Sequence, residues 1–305
     1  MTKAELIEHA AGLGFSGIGV CDPFSLVHIE ALDAWLAAGR HGTMDWMAKH
    51  RDIRADPSLL LPGVRSIVMV SLDYNQPVEH QPGHPKIARY ALGRDYHKVL
   101  RSKLKTLGAR LSGNWRVGVD SAPLLEREYA HLAGLGWFGK NTLLIDSRRG
   151  SYFFIGALLT DLFIERDEPS VGGCGTCTRC IDHCPTGAIV FEDGRWQVDS
   201  RRCISYLTIE HREPFSPDVE LDGWTFGCDV CQEVCPFNEP RESQPLRGAW
   251  ATEPDLLRLR PWPDLKELSE IDEPTWDRLT AGSPTRRPGL QGLRRNARKN
   301  LEDES

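Results

Sequence analysis

Apolar and polar positions change period repeatedly over the first half of the chain. Residues 4–12 carry the three-to-four spacing of an amphipathic helix. Residues 14–21 (GFSGIGVC) read as a turn feeding a short strand, and 29–38 return to helical spacing. Residues 66–72 (SIVMVSL) form a nearly continuous apolar run, the pattern of a strand covered on both faces of a sheet. A helix is predicted over 96–111, a strand over 115–120 (WRVGVD) and a helix over 124–133, which Gly134 closes in the C′ position. A further buried strand follows over 151–162 (SYFFIGALLTDL). This alternation predicts an α/β (α+β) domain over 1–165. The charged, turn-rich stretch 164–173 (IERDEPSVGG) marks its end. A cysteine-rich domain is expected over 166–245, and a proline-rich and then basic tail over 246–305.

Composition narrows the class. A chain of 305 residues can bury two cores, or one with an insertion. A formal charge of -6 argues against a globally basic nucleic-acid coat, so a polyanion has to be met by a local patch. No uncharged apolar run approaches the roughly 20 residues of a membrane span. The start, Met1-Thr-Lys-Ala-Glu-Leu-Ile-Glu, reads as an amphipathic helix rather than a signal peptide. A cytoplasmic protein without a membrane partner is expected.

The cysteines carry the sharpest signal. Cys174-Gly-Thr-Cys177-Thr-Arg-Cys180-Ile-Asp-His-Cys184-Pro185 is C-x2-C-x2-C-x3-C-P, the bacterial ferredoxin run for [4Fe-4S] ligation. Cys228-Asp-Val-Cys231-Gln-Glu-Val-Cys235-Pro236 repeats it without the leading cysteine, and Cys203 stands alone between them. Two intervening residues let a tight turn bring successive thiolates onto one cube, while a fourth cysteine three residues on faces the other cube. The expected ligand sets are Cys174, Cys177, Cys180 and Cys235 for cluster one, and Cys184, Cys203, Cys228 and Cys231 for cluster two. Four-thiolate zinc sites also use C-x2-C pairs, but a third cysteine two residues on and a closing Cys-Pro in both runs suit iron–sulfur better. Structural disulfides do not fit a chain without a secretory leader. Cys21, the ninth, is expected to pack as a small apolar side chain at a strand end.

Other stretches invite functional readings of uneven strength. Gly134-Leu-Gly136-Trp-Phe-Gly139 is a literal G-x-G-x-x-G, and residues 134–141 (GLGWFGKN) approach a P-loop. Both motifs must follow a strand and open a helix, whereas this run follows a helix and leads into an apolar stretch that reads as a strand. Asp120 ends a predicted strand, where ligands of open α/β sheets collect, and such a carboxyl is a candidate proton donor. It could equally cap a helix beginning near Ala122, with Pro123 in the first turn, and both readings stay open. Asp95-Tyr-His97-Lys-Val-Leu100 begins like the D-x-H-x-x-G of proteins that bind cobalt through histidine. Leu100 occupies the glycine position, and a lone histidine on a helix is more often structural.

The residues reach a family at this point. Residues 119–127 (VDSAPLLER), 133–141 (AGLGWFGKN), the run from Cys174 to Pro185, 202–208 (RCISYLT) and 227–236 (GCDVCQEVCP) closely resemble epoxyqueuosine reductase. The resemblance extends in colinear order from about residue 5 to 300, including Leu59-Leu-Leu-Pro62 and Gly93-Arg-Asp-Tyr-His97. It implies reduction of the epoxide of epoxyqueuosine, at the tRNA wobble position, to the alkene of queuosine. It also implies two [4Fe-4S] clusters and cobalamin, the latter in an α/β domain related to that of reductive dehalogenases, with no histidine ligand to cobalt. By the same resemblance Asp120 falls on the family's proton donor, and Arg54, Asn141, Thr142, Ser205 and Asp229 fall in segments around the corrin. Electrons would enter through cluster two and pass through cluster one to cobalt. The implied partners are the anticodon stem-loop of tRNA and an unidentified one-electron donor, and a monomer is expected.

The tail adds one expectation. Arg286, Arg287, Arg294, Arg295, Arg298 and Lys299 gather before Glu302, Asp303 and Glu304. They are either a solvated helix end or a phosphate-tracking patch for tRNA. Many family members continue into helical repeats beyond such a segment, so this chain resembles a short form. Two other functions compete: a two-cluster electron carrier, which leaves the α/β domain without a task, and a cobalamin-dependent reductase of a small organic substrate, such as a dehalogenase.

Overall fold

The computed structural model describes residues 2–303; Met1 and Glu304, named above, lie outside them. Its central sheet has four strands in the order Gly17–Cys21, Ser66–Asp73, Phe153–Thr160, Trp115–Gly118, and every neighbouring pair is antiparallel. The apolar run over 66–72 is fully buried because helices cover both faces. Val68, Val70 and Leu72 point into one core with Leu6 and Ala10 of helix Lys3–Gly12 and with Leu100, Leu104 and Leu107 of helix Tyr96–Gly108. Ile67 and Met69, on the opposite face, pack with Tyr129 and Ala130 of helix Glu126–Leu132. The two-residue period of the strand thus divides one sequence run between two cores, each fully buried side chain contributing about 2 kcal/mol. Cys21 ends its strand buried, as expected for a small apolar filler.

Two expectations change. The sheet is antiparallel, so the rule that ligands gather at carboxyl ends of parallel strands does not place this site. The strand ends at Gly118 and the next helix starts only at Glu126, which leaves Asp120 on a loop with a left-handed φ of 52°. Gly134 does close that helix, with φ 79° at the position after its C-cap, Ala133.

The cysteine-rich region grips the N-terminal domain. Strand Trp224–Phe226 pairs in parallel with Lys86–Ile87. Gln232 accepts from the Tyr74 hydroxyl at 3.2 Å and donates to the Ser151 carbonyl at 3.0 Å. Tyr206 receives the Thr43 backbone N–H at 2.8 Å. The tail closes over this region in turn. In helix Gly289–Asp303, Asn296 donates to the carbonyls of Thr208 and Thr225, and Asn300 to that of Trp224.

These contacts also occupy the tail's cations. Arg295 donates to the carbonyls of Leu207, His211 and Glu213, and Arg294 to that of Ile271. Arg286 pairs with Asp277, Arg287 with Glu210 and Lys299 with Asp303, while Arg298 is exposed. Protein groups engage five of the six, which weighs toward the first of the two readings of this segment, a helix end, rather than a phosphate-tracking patch. No helix among the described residues is long and apolar enough to cross a membrane.

Candidate functional site

The seven cysteines of the two runs and Cys203 fall into two neighbourhoods. Cys174, Cys177, Cys180 and Cys235 line one cavity together with Asn141, Ile145 and Phe237. Burial first, then the adjacent Cys174, Cys235 and Cys177, pushes the Cys180 thiol up to about 11. Cys184, Cys203, Cys228 and Cys231 form the second neighbourhood: Cys184 and Cys203 act on Cys228, and Cys228 and Cys203 act on Cys231. Burial is the main cause of the upward shift at both Cys228 and Cys231.

Backbone N–H groups face both sets. Lys140 N–H reaches Cys174 Sγ at 3.4 Å and Ala188 N–H reaches Cys184 Sγ at 3.3 Å. Ser205 and Tyr206 backbone groups face Cys203, and those of Phe237 and Asn238 face Cys235. Thiols packed this closely in apolar surroundings resist ionisation by themselves. A cationic centre that deprotonates them, with sulfides accepting the free N–H groups, fits this donor set.

Next to the thiols lies a crevice lined with acids and bases. Asp95 caps helix Tyr96–Gly108 and receives the His97 ring Nδ1 at 2.7 Å; His97 Nε2 lies 2.7 Å from Asp120 Oδ2. Both ring nitrogens of His97 thus face carboxylates. Burial works against the imidazolium, but the contacts to Asp120 and Asp95 outweigh it and raise His97 to about 9. Surrounding protein would raise Asp120, yet hydrogen bonds from His97 and Tyr96 hold its carboxyl below the ordinary range. More than half of the Asp120 side chain, 59%, remains accessible. The Asp120 carboxylate is thus held by His97 and still reachable from outside. The carboxyl is spent on His97 rather than on capping a helix near Ala122.

The loop carrying Asp120 is tied down from behind. Glu126 accepts the Asp120 backbone N–H at 2.7 Å, and burial followed by the Asp120 charge raises its carboxyl to about 8. The next residue, Arg127, donates to the Thr142 carbonyl and hydroxyl at 2.5 and 3.3 Å. Thr142 itself has φ 63°. Two non-glycine residues in the left-handed region, bridged through consecutive helix residues, are the kind of local strain that functional sites hold.

The remaining residues named by the resemblance border one or other of these two groups. Arg54 is buried, its Nε and Nη1 lack partners, and Glu126 and Asp120 act on it through charge. Buried Asn141 donates to the Cys231 carbonyl at 3.3 Å. Ser205 is half-buried beside Cys203. Asp229, buried and raised to about 6 chiefly by desolvation, accepts the Arg89 backbone N–H at 2.7 Å. Tyr90 lies between the halves, its phenol pushed well up by burial and then by Asp120 and Asp229. Sequence reasoning missed the roles of His97, Glu126 and Arg127. The one available signal was Asp95 two residues before His97, a spacing that permits a cap and a ring contact together.

A family model described as epoxyqueuosine reductase QueG, DUF1730, matches residues 54–121, and one described as 4Fe-4S double cluster binding domain matches 173–238. A reductase domain joined to a double-cluster module defines an iron–sulfur oxidoreductase. An epoxyqueuosine reductase from Gloeobacter violaceus is 42% identical over 98% of this chain and 96% of its own length. That from Vibrio cholerae is 43% identical over 96% of this chain and 80% of its own. A crystal structure of epoxyqueuosine reductase with an epoxyqueuosine-modified tRNA-Tyr stem loop superimposes with TM-score 0.84 at 30% identity, covering 98% of this chain and 80% of that one. The chain belongs to the epoxyqueuosine reductase family.

Proposed function

We infer that this protein reduces the epoxide of epoxyqueuosine in tRNA to the alkene of queuosine, with Asp120 as the group that protonates the departing oxygen. The observation that carries the reading is the row Asp95–His97–Asp120, two contacts of 2.7 Å ending on an accessible carboxylate. Removing an epoxide oxygen as water consumes two electrons and two protons. Clusters held by Cys174, Cys177, Cys180 and Cys235 and by Cys184, Cys203, Cys228 and Cys231 would supply electrons singly, and cobalamin, when bound, would supply storage for a pair. Arg54, with unpartnered guanidinium donors, suits the carboxamide-rich rim of a corrin, and Asn141, Thr142, Ser205 and Asp229 are the further residues that would hold it.

The chain's own groups account for the protons. Asp120 is ionised at neutral pH, so it cannot act as an acid unaided. His97, protonated below about 9, lends its Nε2 proton across the 2.7 Å contact, and Asp120 passes one to the oxygen as the C–O bond opens. Glu126, at about 8, keeps a second proton beside the same loop. Tyr96, stacked on His97 with ring centroids 4.1 Å apart, keeps the imidazole in line.

Nucleoside mass analysis of epoxyqueuosine-containing tRNA, incubated with the anaerobically loaded protein and a strong one-electron donor, tests this reading. Queuosine is expected to form, and Asp120→Asn to slow its formation with both clusters retained. Absence of product from the wild type would refute the assignment. A dehalogenase-like activity would instead show as halide release from small substrates, and a pure electron carrier as no corrin uptake.

A further inference from the structure

A basic cavity adjoins the segment that carries Asp95 and His97. Three stretches meet there. Arg94 N–H donates to the Asp255 carbonyl at 2.9 Å, Asp95 N–H to that of Gly282 at 2.8 Å, and Arg260 to those of Leu279 and Ala281 at 2.9 and 2.7 Å. They enclose about 250 Å³ lined by Arg94, Lys98, Arg258, Arg260, Ala281 and Gly282.

Four cations face this space against few acids. Asp255 pairs with Arg94 at 2.7 Å and lies 3.7 Å from Arg258. Asp95, on which Lys98 acts through charge, is committed to His97 and to its helix cap. Arg260 bonds only neutral carbonyls, and its Nε is buried without a partner. Burial alone acts on its charge, lowering it. A partly desolvated guanidinium without a counter-charge is costly unless an anion arrives. Arginine forks around a cavity of this size match the paired oxygens of a phosphodiester.

We propose that this cavity seats a backbone phosphate of the tRNA next to the nucleoside that enters the crevice. Arg94 and Lys98 flank Asp95 and His97 on one short segment, so the cavity and the row that ends on Asp120 share a single stretch of chain. The proposal rests on the tRNA reading above and replaces the tail, whose cations are largely engaged internally, as the polyanion-facing surface.

The test is equilibrium binding of the loaded protein to an unmodified anticodon stem-loop RNA over a salt series. Lys98→Glu with Arg258→Glu suits it, because both side chains are exposed and hold no carbonyl in place. The double variant is expected to bind about tenfold more weakly, the low end for charge-assisted hydrogen bonds. Its slope of log affinity against log salt should be shallower by about 1. Arg298→Glu, on the tail, should leave both within twofold. Equal affinity and slope in the double variant, beside a wild type that binds and reduces epoxyqueuosine, would overturn the phosphate seat alone. The seat also falls if Arg298→Glu carries the loss, or if adenosine monophosphate occupies the cavity while the double variant keeps its RNA affinity. A wild type that neither binds the RNA nor reduces the tRNA would remove the seat and the functional reading together.

Discussion

The cysteine groups and the acid–base row around His97 settle their polar groups in opposite ways. Around the thiols, sulfur and backbone N–H converge on space the protein leaves open, and burial pushes Cys228 and Cys231 away from ionisation. That region is complete only with its iron. The crevice supplies its own counter-charges: Asp95 and Asp120 bracket His97, Glu126 holds the Asp120 backbone, and Arg127 holds Thr142. One region is finished by its cofactor, whereas the other is preorganised before any ligand arrives.

Removing a thiol breaks this comparison most severely. Cys231→Ser should lower iron from about eight to about four per chain, as loss of one cube requires, and abolish turnover; iron analysis beside nucleoside analysis reads both. Asp120→Asn probes the other side. Its reduction rate should fall by about 10²–10⁴, with iron content and cluster absorbance unchanged. His97→Gln should cost less, about a hundredfold, because Asp120 can still draw protons from water.

The pH profile separates His97's proton role from a merely structural one. His97 gives its proton only while charged, so the wild-type rate should fall as pH rises through about 9. In His97→Gln that limb should vanish. The same contacts stabilise the fold: their contribution is complete below the ordinary value of 6.5 and disappears as pH rises through about 9. The smallest effect tests the seam between the regions. At Gly42, φ is 58° and an added Cβ would collide with the Tyr206 hydroxyl. Gly42→Ala should therefore cost about 2 kcal/mol of stability, seen by denaturant unfolding, with the crevice chemistry intact.

Legibility followed the same division. Cluster ligation depends on local spacing, so the runs Cys174 to Cys184 and Cys228 to Cys235 were legible at once; Cys174, Cys177, Cys180 and Cys235 line one cavity, and Cys184 and Cys203 act on Cys228. The buried run over 66–72 was equally readable because period and burial are local. The crevice was not. His97 meets Asp120 across 23 positions, and Arg127 meets Thr142 across 15, contacts that no periodicity records. The antiparallel sheet escaped as well, since a strand buried on both faces looks the same in either direction. In the tail, charge was visible, but the hydrogen bonds that tie Arg295 to the carbonyls of Leu207, His211 and Glu213 needed the fold.

The most direct test is a nitrogen-15 NMR titration of the His97 ring in protein labelled at histidine. A proton lent to Asp120 requires His97 to remain an imidazolium, with both ring nitrogens protonated, up to about 9, and Asp120→Asn to lower that value. Titration near 6.5 in the wild type, unmoved by Asp120→Asn, would contradict the account.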